Sequence, residues 1–250
     1  MQFHVLDEVV STEVEPMPER IRLDEILPLL RVLDDQFLGV AIRKNGQPVT
    51  CAKGCSACCK IQPVPVTPVE AYGLLLLVEA MPEPRREEIL SRFRDCVERL
   101  DAAGVAETYL EGRPAASPEQ AQANVRRYLD LQLVCPFLED DACSIYEIRP
   151  FTCREYFVTS PKEFCTDPLS LPVRRVPQIV SGGSTILSTG AALAGISGYT
   201  VPLTLALVFA ERHRETLART YLSPEVLTRS LQTLLASSRP PQSTEFSNGS

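Results

Sequence analysis

Four of the chain's nine cysteines stand close together in "CAKGCSACCK", at Cys51, Cys55, Cys58 and Cys59. Four more, Cys135, Cys143, Cys153 and Cys165, lie in a later loop-like stretch, and Cys96 stands alone. Cysteines spaced three and two residues apart let one short turn aim several soft donors at a point, with Gly54 easing the backbone. All-sulfur donor sets select Zn2+ or iron–sulfur clusters over magnesium or calcium, and spacing does not choose between those two. Cys51, Cys55 and Cys58 are placed to face one centre. Neighbouring side chains diverge, so Cys59 is expected to serve a second centre or to pack behind the first.

Other uses of thiols fit less well. A chain of 250 residues with 44% hydrophobic and 23% charged residues has ample core and does not need disulfides to fold. Its first twenty residues carry acids and no apolar leader, so it is read as cytoplasmic, where thiols stay reduced. Adjacent Cys58 and Cys59 could bridge only through a strained ring. Core filling suits Cys96, which falls on the apolar stripe of "PRREEILSRFRDCVERL" with Ile89, Phe93 and Leu100. Radical S-adenosylmethionine enzymes share the Cys-x3-Cys-x2-Cys spacing. Here, however, Ala57 fills the position where they carry an aromatic residue, and no βα alternation follows.

Helical signals dominate the elements that must position these thiols. Residues 21–38 are apolar at helical intervals, and Pro28 must start, kink or divide that segment. Thr67, Pro68 and Glu70 form a capping-box start, and "SPEQ" and "SPEV" open two further helices. "VCPFLEDDACSIY" reads as a short hairpin with "EDD" at its tip, the acids solvated. "TILSTGAALAGISGYTVPLTLALVFAERH" is too interrupted to span a membrane and is read as buried loop followed by core helix. The expected fold is mainly α, a single irregular helical domain with a cysteine-rich loop and short-hairpin segment forming a metal site. Its parts are an N-terminal helical segment (1–47), a cysteine-cluster domain (48–168), C-terminal helices packed on it (169–236) and a disordered polar tail (237–250).

Taken together, "CAKGCSACC" and "CPFLEDDACSIYEIRPFTCREY" make the sequence resemble the YkgJ-type cysteine-cluster family of zinc- or iron-chelating domains over roughly residues 48–168. The resemblance implies chelation through Cys51, Cys55, Cys58, Cys59, Cys135, Cys143 and Cys153, with Cys165 a less regular addition. The family includes proteins linked to flagellin lysine methylation, and no motif here carries that activity over.

Arg149 and Arg154 flank Pro150 and Cys153 and are candidates to offset thiolate charge; the alternative for Arg149 is a surface pair with Glu147. Tyr146 is read as core packing, and His4 and His213 as uninvolved. The expected cofactor is an iron–sulfur cluster, four-iron four-sulfide favoured, or Zn2+. Three functions follow: a redox or metal-dependent enzyme, a structural zinc module or a metal-handling interaction module, with a lysine-methylase-like enzyme as a further alternative. The net charge of −7 argues against nucleic acid. The sequence names no substrate and no protein or small-molecule partner.

Overall fold

Local capping rules decide where most helices begin. In the computed structural model, which describes residues 1–111, 117–196 and 198–237, α1 (Leu27–Asn45) opens with Pro28 in its first turn. Gly46 ends it in the left-handed conformation at φ 68°. Pro28 therefore starts the helix; the preceding residues form a strand and a 3-10 turn. α2 (Pro68–Glu79) begins with the full capping box: the Thr67 side chain accepts from the Glu70 amide and Glu70 returns a bond to the Thr67 amide. α3 (Arg85–Ala102) buries Ile89, Phe93, Cys96 and Leu100, the stripe read from its period. α4 (Ala106–Leu110) is a short turn, and α5 (Pro118–Asp130) starts on the Ser117 hydroxyl.

Beyond the cysteine segment come α6 (Phe151–Glu155), α7 (Gly182–Ala194), α8 (Ala206–Arg212), α9 (Arg214–Leu217) and α10 (Ser223–Ser237). α7 corrects the expectation of a buried loop before the core helix. Its serines, threonines and glycines read as irregular, yet Ser181 caps it, and the Thr185 and Thr189 hydroxyls are satisfied by carbonyls four residues back. Small residues are what this position requires. A Cβ on Gly182 would overlap the Phe151 ring.

Strands are short and paired in twos. β1 (Gln2–Val5) pairs β2 (Glu8–Ser11), and β3 (Arg20–Arg22) pairs β8 (Thr220–Leu222). β4 (Pro65–Val66) pairs β7 (Val201–Pro202), and β5 (Leu138–Glu139) pairs β6 (Ala142–Cys143). All four pairs are antiparallel.

Two apolar clusters meet at α2. One joins α2, α3, α5 and α8 around Phe93, Tyr128, Phe137 and Phe209. The other joins β1, α1, α7 and α10 around Phe3, Leu30, Phe37 and Ile186. Leu74 and Leu75 of α2 face the first cluster and Val69 faces the second, so this apolar helix is buried on both sides. Residues 169–236 divide between the clusters, with 201–217 in one and 180–194 and 226–234 in the other. No helix among the described residues is long and apolar enough to cross a membrane. The expected tail from 238 lies outside the described residues.

Candidate metal centre

The first cysteine motif is a turn followed by a single 3-10 turn. Gly54 takes φ +84° and the Cys55 amide bonds to the Ala52 carbonyl at 2.9 Å, reversing the chain between Cys51 and Cys55. A 3-10 turn over Cys58–Lys60 follows and, contrary to the expected divergence of neighbours, brings the Cys58 and Cys59 thiols within hydrogen-bonding reach of each other. This loop does not hold itself. Thr50 donates to the Val158 and Ser160 carbonyls, Cys51 Sγ accepts from the Val158 amide at 3.4 Å, and Gln62 donates to the Cys165 carbonyl at 2.8 Å.

The second motif closes on the first through backbone. The Cys135 amide donates to the Cys59 carbonyl at 2.7 Å. β5 and β6 then form the expected hairpin, with Asp140 (φ 47°) and Asp141 (φ 59°) both left-handed as a two-residue primed turn demands. The Asp141 carboxylate is solvated, as expected, but not idle. It accepts from Ser56 Oγ at 2.6 Å and pairs with Lys60, joining the hairpin tip to the first motif. Cys153 lies at the centre of α6, and Cys165 is buried in the 3-10 turn Lys162–Thr166.

The fold thus draws Cys51, Cys55, Cys58, Cys59, Cys135, Cys143, Cys153 and Cys165 into one region, and all are free thiols. Their ionisation is mutually coupled. A hydrogen bond from Cys59, helped by Arg149, lowers the Cys58 thiol to about 7, and the same bond pushes Cys59 up. Burial pushes Cys51, Cys143 and Cys153 up, Cys135 to about 12 and Cys165 to about 11. Charge on Cys58 disfavours charge on Cys51, Cys59, Cys135, Cys143, Cys153 and Cys165 alike, which places it at the electrostatic middle of the set. Two wings extend from it. On one side Cys55 bears on Cys51, and both bear on Cys165; on the other Cys135 and Cys153 bear on Cys59, and Cys143 bears on Cys135 and Cys153.

Among the described residues, no three histidine, cysteine, aspartate or glutamate side chains already stand at metal-holding spacing. Neutral thiols have no reason to close on one point, and thiolates would do so only around a cation. The surroundings do fit one. Nε of Arg149 is buried without a hydrogen-bond partner, and this guanidinium lowers the pKa of Cys51, Cys58 and Cys143, thiols from both motifs. Its face lies 4.0 Å from the Tyr146 ring centre, and among the described residues it has no ion pair, with Glu147 or any other acid. Tyr146 is exposed and serves Arg149, contrary to the expected core role. Arg154 stands apart from the thiols. Its guanidinium grips Asp35 of α1 at 2.6 and 2.7 Å and donates to the Glu147 carbonyl. Cys96 is buried in the first apolar cluster beside Cys135, as expected of core filler.

Sequence reasoning missed the carboxylates behind α6. Glu70 is buried, and beyond its capping bonds Oε1 accepts from the Phe151 amide at 2.7 Å. Glu155 accepts from Ser181 Oγ, the Gly183 amide and Gln178 Nε2. Asp34 accepts from the Gly182 amide at 3.1 Å. Burial, with Glu155 beside it, pushes the Asp34 carboxyl up to about 9. Ionised, its Oδ2 has no partner; protonated, it can donate to Glu155. The capping box gave a signal for Glu70, but nothing local marks Asp34, Asp35 or Glu155.

Residues 50–169 match the sequence model of the CxxCxxCC family, described as "Putative zinc- or iron-chelating domain". No curated protein and no solved structure matches the chain. The match spans both cysteine motifs and all eight clustered thiols, so over these residues the chain is similar to that family.

Proposed function

We propose that the protein holds an iron–sulfur cluster, or zinc in its place, through thiolates drawn from Cys51, Cys55, Cys58, Cys59, Cys135, Cys143, Cys153 and Cys165. The observation that carries this reading is Arg149, a cation with a buried unpartnered Nε amid thiols of both motifs. Four thiolates around one Zn2+ sum to a charge of about −2, and a buried guanidinium offsets such a charge. Without it, Arg149 is an unexplained cost. Eight thiols are twice the four that either tetrahedral zinc or a cluster takes, enough for two four-sulfur sites or for one with auxiliary cysteines. A bound cluster would supply one-electron chemistry; the chain's own residues would orient the thiolates and screen their charge.

Purification without oxygen, followed by a visible spectrum and analysis for iron, zinc and sulfide, tests this directly. A brown protein absorbing near ~400 nm with matched iron and sulfide supports the cluster. A colourless protein with stoichiometric zinc supports the zinc form and a structural or metal-handling role. Cys51→Ser and Cys153→Ser should each lower metal content, whereas Cys96→Ser should leave it intact. If Cys51→Ser and Cys153→Ser both retain full metal, the assignment is wrong. An open iron position, and with it redox or enzymatic use, would show as three indispensable cysteines rather than four.

A further inference from the structure

The thiol at Cys153 is carried by a helix of five residues, too short to hold its own place. Neighbours on both sides of it are gripped from outside. Phe151 N donates to Glu70 at 2.7 Å. Arg154, 8% exposed, holds Asp35 through one nitrogen on both carboxylate oxygens. Glu155 gathers Ser181 Oγ (3.1 and 3.0 Å), the Gly183 amide (3.2 Å) and Gln178 Nε2 (2.7 Å), and the next amide of that turn, Gly182, donates to Asp34. Asp34 and Asp35 belong to α1, and Gln178 to Gly183 lead into α7. Except for Glu70 and the Glu147 carbonyl that Arg154 also holds, these partners lie outside residues 50–169.

We infer that α1 and the start of α7 are part of the metal-binding apparatus: Asp35 on Arg154, and Ser181 with Gly183 on Glu155, fix α6 and so aim Cys153 at the other thiols. These are positioning residues, none of them a ligand. Charge-assisted bonds suit the task because they favour one geometry; here Arg154 is the buried partner and Asp35, 52% exposed, meets it from the solvent side. The matched domain is then incomplete as a chelator without its flanks. This inference rests on the metal reading above.

The test uses the full chain and two variants, Asp35→Asn and Ser181→Ala. In metal-free protein, alkylation by iodoacetamide is followed at each cysteine by mass spectrometry, with Cys55, on the first-motif loop and not on α6, as internal reference. Zinc affinity is measured by chelator competition. Asp35→Asn should raise Cys153 alkylation relative to Cys55 several-fold and weaken zinc binding roughly tenfold, the low end for loss of a supporting partner. Ser181→Ala should act in the same direction by about threefold, and Asp35→Glu should restore much of the wild-type behaviour. Wild-type ratios and affinity in both variants would overturn the inference, as would a uniform rise at every cysteine, which signals general loosening. If Asp35→Asn does not fold, Ser181→Ala decides. If the wild-type protein binds neither zinc nor iron, the metal reading fails, and the Cys153 to Cys55 ratio still decides the positioning.

Discussion

The two cysteine regions are held in opposite ways. The loop from Cys51 to Lys60 is half-exposed and tied down by backbone carbonyls of the 156–165 segment and by Asp141, itself at the surface. The short helix bearing Cys153 is gripped by the buried Glu70 of α2, by the half-exposed Asp35 of α1, and by Ser181 and the Gly183 amide at the start of α7. If the thiols close on a cation as proposed above, the half-exposed loop is the wall with room to move and the gripped helix the fixed one, and uptake would be coupled to local ordering.

Breaking the fixed wall should have the largest effect. Gly182→Ala drives a methyl into the Phe151 ring where α6 meets α7, and overpacking that displaces backbone should cost about 3 kcal/mol, read as a lower urea midpoint with unchanged slope. A gentler change sharpens the comparison. Asp34 is an acid whose folded pKa lies above its unfolded value, so it weakens the fold increasingly as pH rises from about 4 towards about 9. Asp34→Asn mimics the protonated form and should stabilise the protein by roughly 2 kcal/mol at pH 8, well inside the upper bound of about 6 that the shift sets, with the gain gone below pH 4. Thermal unfolding of both proteins across that range checks it; a constant difference would remove Asp34 as the cause. The loop should answer differently. Asp141→Ala removes exposed bonds to Ser56 and Lys60 and should leave the urea midpoint almost unchanged, while iodoacetamide labelling of Cys58 and Cys59 speeds up relative to Cys153.

How much of this could be read from the sequence depended on distance along the chain. The Thr67 box, the Ser117 cap, the stripe through Cys96 and the hairpin around Asp140 and Asp141 are decided within a few residues, and all were legible. α7 was misread because its small residues lack an amphipathic signal; what favours them is the Phe151 ring and the neighbouring helices. The contacts of Asp35 with Arg154 and of Asp34 with Gly182 span more than a hundred residues, and no spacing rule reaches that far. Thiol chemistry was visible at once from type and spacing. What surrounds the thiols was only half visible: Arg149 was found by its adjacency to Cys153, and Arg154 by the same logic, yet Arg154 turns to α1.

The β3–β8 pair has a mechanical meaning. Arg20 sits opposite Leu222, the Ser223 amide donates to the Glu19 carbonyl, and the two strands run antiparallel. A pull applied at Glu19 and Ser223 loads the bonds of this ribbon one after another from a single end, as a zipper opens, instead of shearing them together. Tension along the chain would peel this clasp before it strained the 51–165 segment. The cysteine region sits inside a loop that has its own mechanical fuse.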